Sequence, residues 1–167
     1  MQILPDFIFP LKMAKSRSQL VGVIPLIKMS NLCAYLINEK DEARIELEFG
    51  MERRLRYIKG TVEAELNLKC ERCLEHYVEP MHIKLNLAMV MKESQLDAVP
   101  EDYEPIMVSE EMKLANIIEH ELLLHLPMIA KHKQQDCSSY LNKLKKNTQQ
   151  TQPPKPLAEL AKLKGKL

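Results

Sequence analysis

Two long stretches of alternating side chains flank the motif Cys70-Glu71-Arg72-Cys73, and they limit the folds open to this chain more than any other feature. Before the motif, Val62, Ala64, Leu66 and Leu68 alternate with polar neighbours. After it, Met81, Ile83, Leu85, Leu87, Met89 and Met91 alternate with His82, Lys84, Asn86 and Ala88. A period of two places one set of side chains on each face of a strand, so both stretches read as half-buried strands rather than helices. Further upstream, Ile45, Leu47 and Phe49 alternate with Arg44, Glu46 and Glu48, and Gly50 marks a turn. Alternating segments joined by a short link pair antiparallel, because a parallel pair needs a long crossover. The two cysteines are therefore expected at a hairpin tip. Gly60 interrupts its stretch and reads as a bulge or bend, with Leu55 and Tyr57 facing inward before it. Pro80 lies where a strand start or edge tolerates it.

The pattern changes after the loop at residues 99–108. Ser109 is placed to cap a helix, Glu110 and Glu111 suit the positive end of its dipole, and Leu114, Ile117, Ile118, Leu122 and Leu126 form a stripe at helical spacing that Pro127 ends. A shorter helix is expected over residues 26–37. The chain has no Trp and ten Met, so its core must be built from Leu, Ile, Val and Met. At 167 residues it is expected to form one domain, residues 1–137. Residues 138–167 read as a flexible Lys-rich tail ending in a short helix through Leu157, Leu160 and Leu163. The expected architecture is α+β: a curved antiparallel sheet, barrel-like at the extreme, packed by one long and one short helix.

The net charge of +1 hides a segregation. From Lys131 onward nine lysines face only Asp136 and Glu159, whereas residues 93–121 carry nine acids against Lys113. The acidic stretch suits a basic partner, and the tail lysines Lys131, Lys133, Lys143, Lys145 and Lys146 suit a phosphate backbone through salt-sensitive attraction. The N-terminus lacks a basic segment ahead of its apolar residues, and Pro5, Asp6 and Pro10 break that run, so it reads as neither signal peptide nor anchor. No run approaches a membrane span, and a cytoplasmic location is expected.

In a reducing compartment, Cys70 and Cys73 are to be judged as ligands or reactive thiols. A zinc site needs about four ligands, usually Cys and His, and His132 and Cys137 are the candidates to complete one. A redox dithiol is expected at a helix N-terminus, and the pattern places these cysteines between strands. Metal clip and thiol redox protein both stay open. Four glycines leave no room for a Gly-rich phosphate cradle. Glu119, His120 and Glu121 point in different directions on a helix, and His120 lacks a second His four residues on. No aromatic-plus-basic sheet signature for base reading is apparent. Catalysis is not expected.

The order and spacing of "LKCERCLEH", "AVPEDYEPIMV", "IIEHELLLHLPMIAKH", Cys137 and the closing "PPKPLAELAKLK" resemble the YceD family of large ribosomal RNA subunit accumulation proteins. The resemblance implies a non-enzymatic role in the synthesis, processing or stability of large-subunit ribosomal RNA or its precursor. It also implies a gene commonly next to that of a large-subunit ribosomal protein. The family's Cys-x-Arg-Cys signature falls on Cys70, Arg72 and Cys73, and its later cysteine on Cys137. Many relatives carry further cysteines in that later region. This chain has only Cys137 there, which rules out a four-thiolate site and leaves His132 as the candidate replacement if zinc is retained. Where the charge map meets the resemblance, charge alone motivates the expectation of a basic ribosomal protein on the acidic face and of Arg72 with the tail lysines near RNA.

Overall fold

The computed structural model describes residues 2–133. The expected tail, with Cys137, Lys143, Lys145 and Lys146, lies outside the described residues. Elements follow in the order β1 (Phe7–Ile8), α1 (Pro10–Ser16), β2 (Gln19–Pro25), a 3-10 turn (Leu26–Lys28), α2 (Ser30–Cys33), β3 (Glu42–Glu52), β4 (Leu55–Lys69), β5 (His76–Val90), a second 3-10 segment (Glu93–Ala98), β6 (Glu104–Met107), β7 (Met112–Lys113) and α3 (Leu114–Leu124). Strands β2 to β6 form one sheet in sequence order, antiparallel except for the parallel β5–β6 pair. Strands β1 and β7 form a separate two-stranded ribbon.

Alternation decides which side is buried. Ala43, Ile45, Leu47 and Phe49 of β3, Ile58, Val62, Ala64, Leu66 and Leu68 of β4, and Met81, Ile83, Leu85 and Leu87 of β5 all face one core. Helix α3 closes that core with Leu114, Ile117, Ile118 and Leu122, and α1 packs on β3 and β4. Helix α1 begins with Pro10 in its first turn, where the missing N–H costs nothing. The prolines read as breaks in the sequence thus include a helix start.

The sheet is open, against the expectation that it tends toward a barrel. Strand β6 covers only Leu87–Val90 of β5, and the free edge of β2 is taken by the N-terminal segment: Val23 N donates to Gln2 O at 3.0 Å and Leu4 N to Val23 O at 3.1 Å. With one edge occupied and the other four residues long, no pair of strands remains to close a barrel.

Helix α3 is shorter than expected. Ser109 does not cap it; its hydroxyl donates to Glu111 O at 2.6 Å. Residues 112 and 113 are held extended by pairing with β1, and the helix starts at Leu114, whose N–H donates to Asp6 O at 3.0 Å. The helix expected over residues 26–37 is reduced to the 3-10 turn and the four-residue α2. That short helix lacks a cap of its own. Glu119 of α3 supplies one from 88 residues away: its carboxylate accepts from Asn31 N at 2.6 Å, Leu32 N at 3.0 Å and Asn31 Nδ2 at 3.2 Å.

Gly60 is not a bulge. Pairing runs unbroken through it, with Leu47 and Leu85 as its neighbours. Its φ of 155° is unfavourable for any other residue, and a Cβ there would meet Glu46 O at 1.9 Å. Since the register does not slip, the parity of β4 is continuous and Tyr57 lies on the outer face, opposite to the inward placement expected of it. Its ring covers Gly50, the residue it pairs with.

Candidate functional site

The hairpin of β4 and β5 places Cys70 to Cys73 at its tip, as alternation requires. Cys70 is fully buried. Its N–H donates to Glu75 O and its carbonyl accepts from Leu74 N, both at 2.8 Å, which ties the turn at both ends. Leu74 sits at φ 65°, a left-handed conformation seldom adopted by a bulky residue, which reverses the chain direction after the motif. The tip is held from two directions. Ile37 N donates to Asn67 O at 2.9 Å, and Glu71 N donates to Ala130 O at 2.8 Å, bringing the segment after α3 up to the cysteines. Tyr77 lies beside them. Burial, and then the Glu79 carboxylate, raise its hydroxyl pKa, while a hydrogen bond with the backbone of Lys131 opposes the rise.

The thiol sulfurs of Cys70 and Cys73 lie within 4.8 Å of each other. Two sulfurs at that spacing match half of a donor set that zinc prefers. Two of the four expected ligands therefore sit together at the tip; His132 is half-buried, and Cys137 lies outside the described residues. Among the described residues no helix begins at the cysteine pair, which lies between β4 and β5, so the helix N-terminus that activates a redox dithiol is not part of the motif there. Arg72 is exposed at the tip, and Lys131 and Lys133 are exposed. Beside the tip Tyr35, Leu74, Leu126, Pro127 and Met128 line an apolar groove of about 660 Å³.

The remaining histidines, Cys33 and the acids of residues 93–121 divide clearly. His76, His82, His120 and His125 are exposed, and His82 pairs across the strands with Glu63 at 3.1 Å. Cys33 is half-buried, and its thiol donates to Leu26 O at 3.2 Å. The acidic stretch loses two members: Glu119 and Glu121 face inward at 6% and 3% exposure. Burial, and then the charge of Glu104, raise the pKa of Glu121. Glu93, Asp97, Glu101, Asp102, Glu104, Glu110 and Glu111 remain exposed.

One constellation was missed. Tyr57 and Tyr103 meet on the outer face with ring centroids 6.5 Å apart, and Lys59 Nζ lies 4.6 and 5.0 Å from the two rings. The Tyr57 hydroxyl donates to Glu48 Oε1 at 3.0 Å, which raises its pKa. Tyr103 borders a cleft whose opposite wall carries Arg53 and Arg54 from the β3–β4 turn. The β4 parity would have revealed Tyr57 had Gly60 been read as in register, but nothing in the sequence pairs it with a tyrosine 46 positions on.

Comparison with known proteins bears on what this arrangement serves. No solved structure matches the chain. Among curated proteins, the large ribosomal RNA subunit accumulation protein YceD of Haemophilus influenzae is 31% identical over 137 residues, covering 80% of this chain and 79% of the relative. The sequence profile of the large ribosomal RNA subunit accumulation protein YceD family matches residues 58–164, a span that takes in the hairpin, its cysteines and α3. By both measures the chain belongs to the YceD family.

Proposed function

We propose that the protein is a non-enzymatic, cytoplasmic factor for the synthesis, processing or stability of large-subunit ribosomal RNA. The observation that carries this reading is the family match over residues 58–164, reinforced by a relative named for accumulation of that RNA. Zinc held by Cys70, Cys73, His132 and Cys137 acts as a structural clip, fixing the segment after α3 against the hairpin tip. Arg72, Lys131 and Lys133, with Lys143, Lys145 and Lys146, then approach the precursor or mature RNA backbone. The seven exposed acids of residues 93–111 engage a basic ribosomal protein.

The test is depletion of the protein in its host, with precursor and mature large-subunit RNA measured against small-subunit RNA. Selective loss of the large-subunit species, restored by the wild-type chain, is expected. Cys70→Ser/Cys73→Ser and tail-deleted complements separate the clip from the lysines. Unchanged large-subunit RNA in depleted cells would overturn the reading.

A further inference from the structure

The hairpin turn between β3 and β4 reads Glu52-Arg53-Arg54-Leu55, far from the cysteine tip along β4. Arg53 and Arg54 are exposed, and neither belongs to an ion pair among the described residues. Arg53 is held at φ 54°, where Gly or Asn is the inexpensive choice, so the turn carries strain to present a guanidinium at its apex. Three residues after Arg53, Arg56 keeps a buried Nε with no hydrogen-bond partner among the described residues. Across from the turn runs the loop that holds the second 3-10 segment, and between them lies a cleft of about 530 Å³.

The lining of this cleft is selective. The loop carries Glu93, Asp97, Glu101 and Asp102, yet none of them borders the cleft; it contributes Gln95, Ala98, Val99, Pro100 and Tyr103 instead. Leu55, Met89 and Val90 complete an apolar floor, and Glu52 is the one carboxylate beside the two arginines. A flat apolar body suits such a floor with a tyrosine at its margin, and a phosphate suits two guanidiniums at the rim. A nucleotide of a single strand has both parts. The volume is of the order of a small-ligand pocket, which one nucleotide fills.

We infer that this cleft is a contact site for single-stranded RNA, with Arg53 and Arg54 on the phosphates and a base against Tyr103 and the apolar floor. The inference rests on the ribosomal RNA reading above and adds to it a second contact, made by residues other than the tail lysines. It also accounts for an arginine, rather than a glycine, at the strained apex.

The test uses the full chain and a fluorescein-labelled twelve-nucleotide single-stranded RNA of mixed sequence, titrated by fluorescence anisotropy over a salt series. Arg53→Glu/Arg54→Glu is expected to weaken binding at least about tenfold. Loss of two phosphate contacts should also make the slope of log affinity against log salt shallower by about 1.4. Tyr103→Ala is expected to weaken binding about fivefold or more through the lost stacking partner. Arg53→Gly separates function from folding, because it should hold or raise the melting temperature while weakening binding. Unchanged affinity in these variants, with loss in Lys143→Gln/Lys145→Gln/Lys146→Gln, would overturn the cleft site and leave RNA binding with the tail. Equal competition by a poly-glutamate peptide would make it an acidic-peptide site and overturn the inference, as would no binding by the wild-type chain. None of these results touches the accumulation role, which is read from RNA levels in depleted cells.

Discussion

Glu119 joins two parts of the chain 88 residues apart, and its removal has a calculable cost. In Glu119→Ala three donors lose their acceptor. Asn31 is exposed, so its side-chain amide recovers a bond from water. The backbone N–H of Leu32 is buried and that of Asn31 partly so; each unsatisfied buried donor costs about 1–3 kcal/mol. The sum is about 3 kcal/mol, reduced somewhat because a buried charge is removed with its own desolvation cost. Glu119→Gln keeps an amide oxygen able to accept from both backbone groups and loses mainly the charge assistance, about 1 kcal/mol. In urea unfolding followed by circular dichroism, with a slope near 2 kcal/mol/M, the alanine variant should lose about 1.5 M of midpoint and the glutamine variant about 0.5 M. A shift below about 0.3 M for alanine at unchanged slope would show that the carboxylate does not hold α2. Equal shifts in the two variants would show that the negative charge, and not an acceptor oxygen or the packing that glutamine keeps, is what holds α2.

Gly60→Ala should destabilise by about 3 kcal/mol or more, since its Cβ has no room against the Glu46 carbonyl and its φ is unfavourable; the same unfolding measurement checks this. The purified full chain should carry one equivalent of zinc by metal analysis, and Cys70→Ser/Cys73→Ser none, with chelation lowering the melting temperature of the wild type alone. The pKa of Glu121 is raised in the folded protein, so its favourable contribution is present at pH values below the unfolded carboxylate pKa and is lost as pH rises through the folded one. Glu121→Gln should therefore raise the melting temperature at pH 7.5 and leave it nearly unchanged at pH 4.5, and a gain of equal size at both would refute the burial argument.

The hairpin and its tip were legible because period-two alternation is a local property: each of Val62, Leu66, Ile83 and Leu87 needs only its neighbours to show which face it takes. The same is true of the cysteines, whose position follows from the two strands around them. What stayed hidden depended on partners distant in the chain. Ser109 has the chemistry of a cap, but pairing of Met112 and Lys113 with β1 moved the helix start, and that ribbon joins residues more than 100 positions apart. Glu119 and Glu121 counted as surface acids in the sequence, and only the packing of α3 turned them inward.

The misreading of Gly60 had the widest consequence, because one glycine sets the parity of everything before it on β4. Read as a bulge, it turns Tyr57 into a core residue and removes the aromatic member of any outer-face cluster. Read as a close approach to Glu46 O, it leaves Tyr57 opposite Gly50, next to Lys59 and in reach of Tyr103. A bulge and a close backbone approach both select glycine, so residue type does not distinguish them. The neighbouring strand does: outward Glu46 and Glu48 continue in register against Thr61 and Lys59, and that pairing survives only if no residue is inserted at Gly60. The alternation of β3 therefore already held the parity of β4, and reading the two strands as a pair rather than separately would have placed Tyr57 outside.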